Sequence, residues 1–527
     1  MPAPSDSSLD PTDWAAFAGL AHRLLDHALD HLRTVRERPV WQPVPDAVRQ
    51  ALSTPLPLEG RGAEATAALA LRSILPYATG NIHPRFFGWV HGAGTAGNLL
   101  AEILAATMNA NLGGRDHGAI YVERQVIEWC RQLFGLPVGT SGLLVSGTSM
   151  ATLIGLAVAR HHLAGCEVRT DGVGAVPARL VGYTSSEAHG SVVRAFELLG
   201  LGRSALRSIP VGADYRMDVA ELRRAIAADR RLGCKPFCVV ATAGTVNTGA
   251  IDDLGRLAEI AAEHGLWLHV DGAFGALAIL SPEHRPLGRL AEIAAEHGLW
   301  LHVDGAFGAL AILSPEHRPA LAGIERADSL AFDFHKWLHV QYDAGCVLVR
   351  HGDLHRDAFA LHTGYLERTT RGLAGGEPWF CDFGPELSRG FRALKVWFTL
   401  EEHGTRRLGA AIAANCREAQ HLAARVFEHP RLRLLAPVAL NIVCFRFWQA
   451  DLAQDQLDRL NAAIVADLHE SGVAAPSTAR LPGGLAIRVN ITNHRTIAAD
   501  LDCLLDAVVA CGERRLADAP GATTTAA

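Results

Sequence analysis

A chain of 527 residues, 49% apolar and 20% charged, is several times longer than a typical domain and buries a sizeable core in two or three units. Its formal net charge of −6 sets up no strong field toward nucleic acid or an anionic membrane, so a small molecule is the expected partner. The opening MPAPSDSSLD lacks a basic stretch followed by an apolar one, and no uninterrupted apolar run of about 18 residues follows, which predicts a cytoplasmic, non-membrane protein.

Residues 14–75 alternate helical periodicity with breaks such as RPVWQPVP. This predicts an N-terminal helical arm, taken as residues 1–95, of the kind that clasps a partner subunit. From residue 97 onward NLLAEILAATM reads as helix, GLLVS as strand, ATLIGLAVARHH as helix and FCVVATAG as strand. Such alternation means parallel strands joined by helical crossovers, an α/β domain assigned to residues 96–399. Beyond residue 400 the strands NIVCFRF and LAIRVNIT and the helix DQLDRLNAAIVADLHESG form a smaller α+β unit, residues 400–515, before a polar tail at 516–527 that is expected to be disordered. The ten cysteines show no paired CxxC spacing, so reduced structural thiols and no metal site are expected.

One segment recurs without change: the 33 residues 254–286, LGRLAEIAAEHGLWLHVDGAFGALAILSPEHRP, are repeated as 287–319. Two copies are too few for a solenoid. A single sheet position accepts one strand, so one copy is expected to be extruded, exposing LWLHV and lowering solubility. Removing either copy leaves the same polypeptide, expected to be at least as active.

The chemistry concentrates in four places. ADSLAFDFHKWLHVQYDAGCVLVR puts His335 and Lys336 between two apolar runs. A lysine there snorkels, pairs with an acid or acts as a Schiff-base nucleophile. WLHVDGAF ends a strand in an aspartate, at Asp271 and again at Asp304. That is where parallel sheets place ligands, although an isolated aspartate there also caps turns. LLVSGTSMATLIGL runs from a strand through Ser146, Gly147, Thr148 and Ser149 into a helix, which makes either a phosphate cradle or an ordinary helix cap. The fourth is SSEAHGSVVRA with His189, at a helix start.

Together with HPRFFGW at 83–89 and ATAGTVNTGAID at 241–252, these motifs resemble the group II pyridoxal-phosphate-dependent decarboxylases, the family of the aromatic amino-acid and glutamate decarboxylases, over residues 40–500. The resemblance implies a homodimer of the fold type I, aspartate-aminotransferase-like class, with pyridoxal 5'-phosphate on Lys336. It implies that Asp304 or Asp271 holds the ring nitrogen, that His189 stacks on the ring, that Thr148 and Ser149 bind the phosphate, and that Thr245 and His335 are cofactor-side contacts. It also implies that Tyr365, in LHTGYLERTT, returns a proton to the substrate Cα. The chain joining the lysine to the ring-nitrogen acid is the more constrained one, so Asp304 is favoured. Where aromatic-specific members build an apolar pocket, this chain offers His91, Asn109, Asn111 and Arg115. Aromatic, acidic and diamino substrates all stay open, with the aromatic slightly ahead. Transamination, decarboxylation-dependent aldehyde formation and a non-catalytic scaffold are the alternatives, and a tyrosine at 365 argues against the aldehyde route.

Overall fold

Two sheets organise the chain, each fed by strands whose apolar side chains alternate between covered faces. The computed structural model describes residues 8–164, 168–245, 250–272, 291–292, 294–361, 368–438, 440–481 and 483–518. Tyr365, within 362–367, and most of the polar tail lie outside the described residues.

The N-terminal arm consists of α1 (Trp14–Arg33), α2 (Asp46–Ala51) and α3 (Ala63–Ser73). Asp13 caps α1 by accepting from the N–H groups of Ala15 and Ala16, two of the donors that a helix start leaves free. The short β1 (Phe86–Phe87) follows, then α4 (Gly97–Met108) and α5 (Gly118–Leu133).

The large sheet holds β2 (Ser141–Val145), β3 (Leu180–Ser185), β4 (Leu206–Ile209), β5 (Lys235–Thr242), β6 (Trp267–Asp271), β7 (Leu301–Asp304), β8 (Ser329–Asp333) and β9 (Gly345–Val349). Their order is β2-β9-β8-β7-β6-β5-β3-β4. The run from β4 to β8 is parallel, as the alternating pattern predicts, and β9 is antiparallel to both β8 and β2. Helix α6 (Thr148–Ala164) crosses the sheet. A Cβ on its Gly155 would stand 3.0 Å from the His302 ring, so glycine is what lets helix and strand approach here.

The small sheet, β10 (Leu432–Leu434), β11 (Ile442–Phe447), β12 (Ala475–Leu481) and β13 (Gly484–Asn490), takes β1 as an edge strand parallel to β12. Between the two sheets the span Arg392–Glu428 forms two helical segments that meet at a kink at Gly404, where φ is 66°.

The duplication corrects one expectation. Neither strand is extruded; β6 and β7 lie side by side, with Leu268, His269, Val270 and Asp271 opposite Leu301, His302, Val303 and Asp304. Pairing at zero offset sets each side chain against its own copy. Trp267 stacks on Trp300 at 4.6 Å and His269 on His302 at 4.3 Å. Leu268, Val270 and Val303 are all fully buried, each worth about 1.5–3 kcal/mol relative to exposure, so leaving one copy in water forfeits several kcal/mol and a row of backbone hydrogen bonds.

The two copies yield the same proteolytic peptide, WLHVDGAF, and its hydrogen exchange therefore reports on both strands at once. We expect a single slowly exchanging population by mass spectrometry. A bimodal pattern with half of the peptide exchanging fast would mean that one strand lies outside the sheet.

Candidate active site

Parallel strands deliver their carboxyl ends to one edge of the large sheet, and the residues singled out in the sequence follow those ends. Thr148 and Ser149 come after β2, Lys336 after β8, Thr245 after β5 and His189 after β3, while Asp304 and Asp271 end β7 and β6.

The tightest cluster surrounds Asp333, at the end of β8. Its carboxylate lies 2.9 Å from Lys336 Nζ and accepts from the Thr148 backbone N–H at 2.8 Å and the Thr148 hydroxyl at 3.0 Å. His335 Nε2 stands 3.6 Å away, and the other ring nitrogen of His335 accepts from the Ala344 N–H. Burial lowers the His335 pKa and the Asp333 charge partly offsets it. Glycine is required around this carboxylate, because a Cβ on Gly345 would fall 2.7 Å from its Oδ1. Asp333 was missed by the sequence reading. Its signal was present, an acid three residues before the lysine, the spacing at which an acid and a lysine meet within one turn.

Asp304 is buried, accepting from the Thr152 hydroxyl at 3.0 Å and the Ala306 N–H at 3.0 Å. Asp271 is its direct neighbour across the β6–β7 ladder. Burial raises the Asp304 pKa, the Asp271 charge raises it further, and Lys336 pulls it back. The last effect places Lys336 within electrostatic reach of Asp304. Two carboxyls side by side away from water do not both ionise readily, so one tends to keep a proton.

The remaining residues lie further out. Ser149 is exposed in the first turn of α6. Thr245 is buried, its hydroxyl accepting from the Ala250 N–H at 3.2 Å. His189 is exposed at the start of the helix Gly190–Leu198, where its Nδ1 accepts from the Ser191 N–H. Among the described residues no His, Cys, Asp or Glu group is arranged to hold a metal ion, and no helix is long and apolar enough to cross a membrane.

These donors suit pyridoxal phosphate. Lys336 offers an amine for the aldehyde, the start of α6 offers N–H groups and hydroxyls for the phosphate, and a buried carboxyl stands ready for the ring nitrogen. Thr148 is engaged by Asp333, so phosphate binding there requires an exchange of partners.

Comparison with known proteins agrees with this chemistry. The chain matches the family described as "Pyridoxal-dependent decarboxylase conserved domain" over residues 68–290 and 286–448, two stretches that meet at the junction of the repeated copies. It is 31% identical to the aromatic-L-amino-acid decarboxylase of Bacillus atrophaeus over 488 residues, 92% of each chain. To the aromatic-L-amino-acid decarboxylase of Sus scrofa it is 29% identical over 456 residues, 84% of this chain and 86% of that one. The crystal structure of Oryza sativa TDC with PLP and tryptamine shares the fold, with a TM-score of 0.79 at 24% identity, covering 96% of this chain and 100% of that one. The chain therefore belongs to the pyridoxal-dependent decarboxylase family and is a pyridoxal-phosphate-dependent carboxy-lyase of fold type I.

Proposed function

We propose that this chain decarboxylates an aromatic L-amino acid to its amine and carbon dioxide, as a cytoplasmic homodimer with its cofactor on Lys336. The observation that carries the substrate reading is a run of rings leading from β1 toward Lys336. Phe86 packs on His91 at 5.6 Å, Trp89 on His91 at 6.0 Å, His91 on Tyr342 at 5.8 Å and Tyr342 on His335 at 4.4 Å. Burial, followed by the charge of Lys336, lowers the His91 pKa, so His91 presents a neutral ring. Trp89 and Tyr342 are more than 40% exposed and offer stacking faces, which favour an aromatic side chain over an acidic or diamino one.

Of the four polar residues that left the specificity open in the sequence, His91 belongs to this ring run, while Asn111 and Arg115 are engaged elsewhere. Asn111 accepts from the N–H groups of Gly113 and Arg389, Arg115 lies over the Trp379 ring at 5.7 Å, and Asn109 ends α4 in the left-handed conformation. Similarity to aromatic-L-amino-acid decarboxylases supports the same reading. For the homodimer, the support is an uncovered apolar stripe on α4, Leu100, Ile103, Leu104 and Met108, at the spacing of one helix face.

Bound pyridoxal phosphate supplies the aldehyde that takes up the substrate amine and the electron sink for the pair left when the carboxylate departs. Asp333 orients Lys336 through its contact with Nζ. Asp304 would keep the ring nitrogen protonated, and Thr148 with Ser149 would bind the phosphate at the α6 start. Tyr365, assigned by resemblance, gives its hydroxyl proton to the substrate Cα after carbon dioxide leaves.

Three experiments test these roles. Lys336→Ala should lower carbon dioxide release about 10³-fold or more, in a screen of the common L-amino acids where the parent prefers the aromatic ones. Release from acidic or diamino substrates alone would overturn the substrate reading, and a borohydride-fixed pyridoxyl group on another lysine would overturn Lys336. Tyr365→Phe should keep consuming substrate while product shifts from amine toward aldehyde; an unchanged amine yield removes Tyr365 from the mechanism.

The third concerns Asp304 in the cofactor-free chain. Its pKa is raised on folding, so the folded chain keeps a proton that the unfolded chain releases. Stability then falls as pH climbs above the ordinary carboxylate range, by at most about 1.4 kcal/mol per pH unit for one group, until Asp304 ionises in the folded state as well. Asp304→Asn should flatten that slope in urea melts at a series of pH values. A slope equal to the parent's would show that Asp304 carries no such proton.

A further inference from the structure

We propose that the second copy of the repeated segment divides the cofactor site into two rims, one strand further apart than a single copy would leave them. The cofactor at Lys336 is then served by Asp304, while His189 and Thr245 stand beyond its reach. This rests on the cofactor assignment above and sharpens it.

The pairing registers carry the argument. β5 meets β6 with Thr242 opposite Asp271, β6 meets β7 with Asp271 opposite Asp304, and β7 meets β8 with Asp304 opposite Ala331. Since the two strands are identical and paired without offset, one LHVD strand satisfies the β5 register on one edge and the β8 register on the other. The additional strand changes no alignment. It adds only width, one strand spacing of about 4.8 Å.

That width falls between the two groups of cofactor contacts. Lys336 and Thr148 lie on the β8 and β2 side of the inserted strand, Thr245 and His189 on the β5 and β3 side. From β5 to β8 there are three steps, about 14 Å, where a single copy leaves two, about 10 Å. A histidine that stacks on a ring must bring its centroid within about 4.5–7 Å of it, and a cofactor bonded to Lys336 cannot follow His189 outward.

Two independent observations agree. The match to the decarboxylase family breaks into two stretches at residues 286–290, the junction of the copies. The segment is also removable without a scar. Asp253 caps the first-copy helix through the Arg256 N–H, and it precedes the same Leu-Gly-Arg whichever copy is deleted.

The test compares the full chain with the chain lacking residues 287–319, each stripped of cofactor and titrated with pyridoxal phosphate by quenching of tryptophan fluorescence. Melting temperature with and without pyridoxal phosphate is followed alongside. We expect the one-copy chain to bind at least about tenfold more tightly, with the larger rise in melting temperature. His189→Ala should weaken binding about tenfold or more in the one-copy chain and less than about twofold in the full chain. Equal affinities in the two chains would overturn the divided site and leave the decarboxylase reading standing. Binding by neither chain would overturn the cofactor assignment and this inference with it. If the one-copy chain does not fold, His189→Ala in the full chain decides: a tenfold loss of affinity overturns the proposal, and a change under twofold upholds it.

Discussion

Backbone pairing between two identical strands sets the spacing between β5 and β8 in the large sheet, and with it the separation of the groups on either side of the pair. A parallel ladder between copies at zero offset pairs the facing backbone groups of both strands and puts apolar side chains against matching apolar side chains. Its cost is electrostatic. The alignment that stacks Trp267 on Trp300 also brings Asp271 beside Asp304 and buries both carboxyls, a placement tolerated only when one of them is neutral or a cation lies close by. Strand pairing thus creates a buried carboxyl pair at the edge of the sheet, and it is Asp304 of this pair that we propose for the cofactor.

A second constraint acts at right angles to the first. The Asp333 carboxylate gathers the end of β8, the start of α6 and the Lys336 ammonium. A charge so deeply buried has to be paired and hydrogen-bonded, and here it meets the Lys336 amine and two Thr148 donors at a helix start, where an anion is favoured. Further back, Arg389 and Glu123, both fully buried and 2.5 Å apart, grip the carbonyl and N–H of Leu144. The strand that feeds α6 is held by them, and the helix start is thereby aimed at Lys336. Lys336, the α6 start and Asp304 are therefore positioned by elements with separate supports, so a change in sheet width moves some of them and not others.

The ring run from Phe86 to His335 shows the same division of labour between the two sheets. β1 is anchored in the small sheet by pairing with β12, yet Phe86 meets His91, and His91 meets the Tyr342 that packs on His335. The small sheet thus contributes to the approach to a lysine held by the large one. Aromatic contacts of this kind are worth about 0.5–1.5 kcal/mol each beyond their buried area, enough to hold the approach in shape.

Much of this was legible in the chain itself. The strands and helices near 141–164 and 235–242 announced themselves by apolar period and turn residues, and Lys336, Asp304, Asp271 and Thr148 were readable because strand ends and helix starts are local features that carry chemistry. The fate of the duplicate was not readable. Two identical segments have identical propensities, and whether one leaves the sheet depends on pairing energies with strands far away in sequence. The number of strands laid between His189 and Lys336 was hidden for the same reason. Asp333 could have been suspected from its spacing to Lys336, but its hold on Thr148 joins positions 185 residues apart. Local sequence determined which groups stand at the edge of the sheet; only the tertiary structure decided how far apart they stand, because lateral strand order is set by long-range hydrogen bonding and burial that no local pattern encodes.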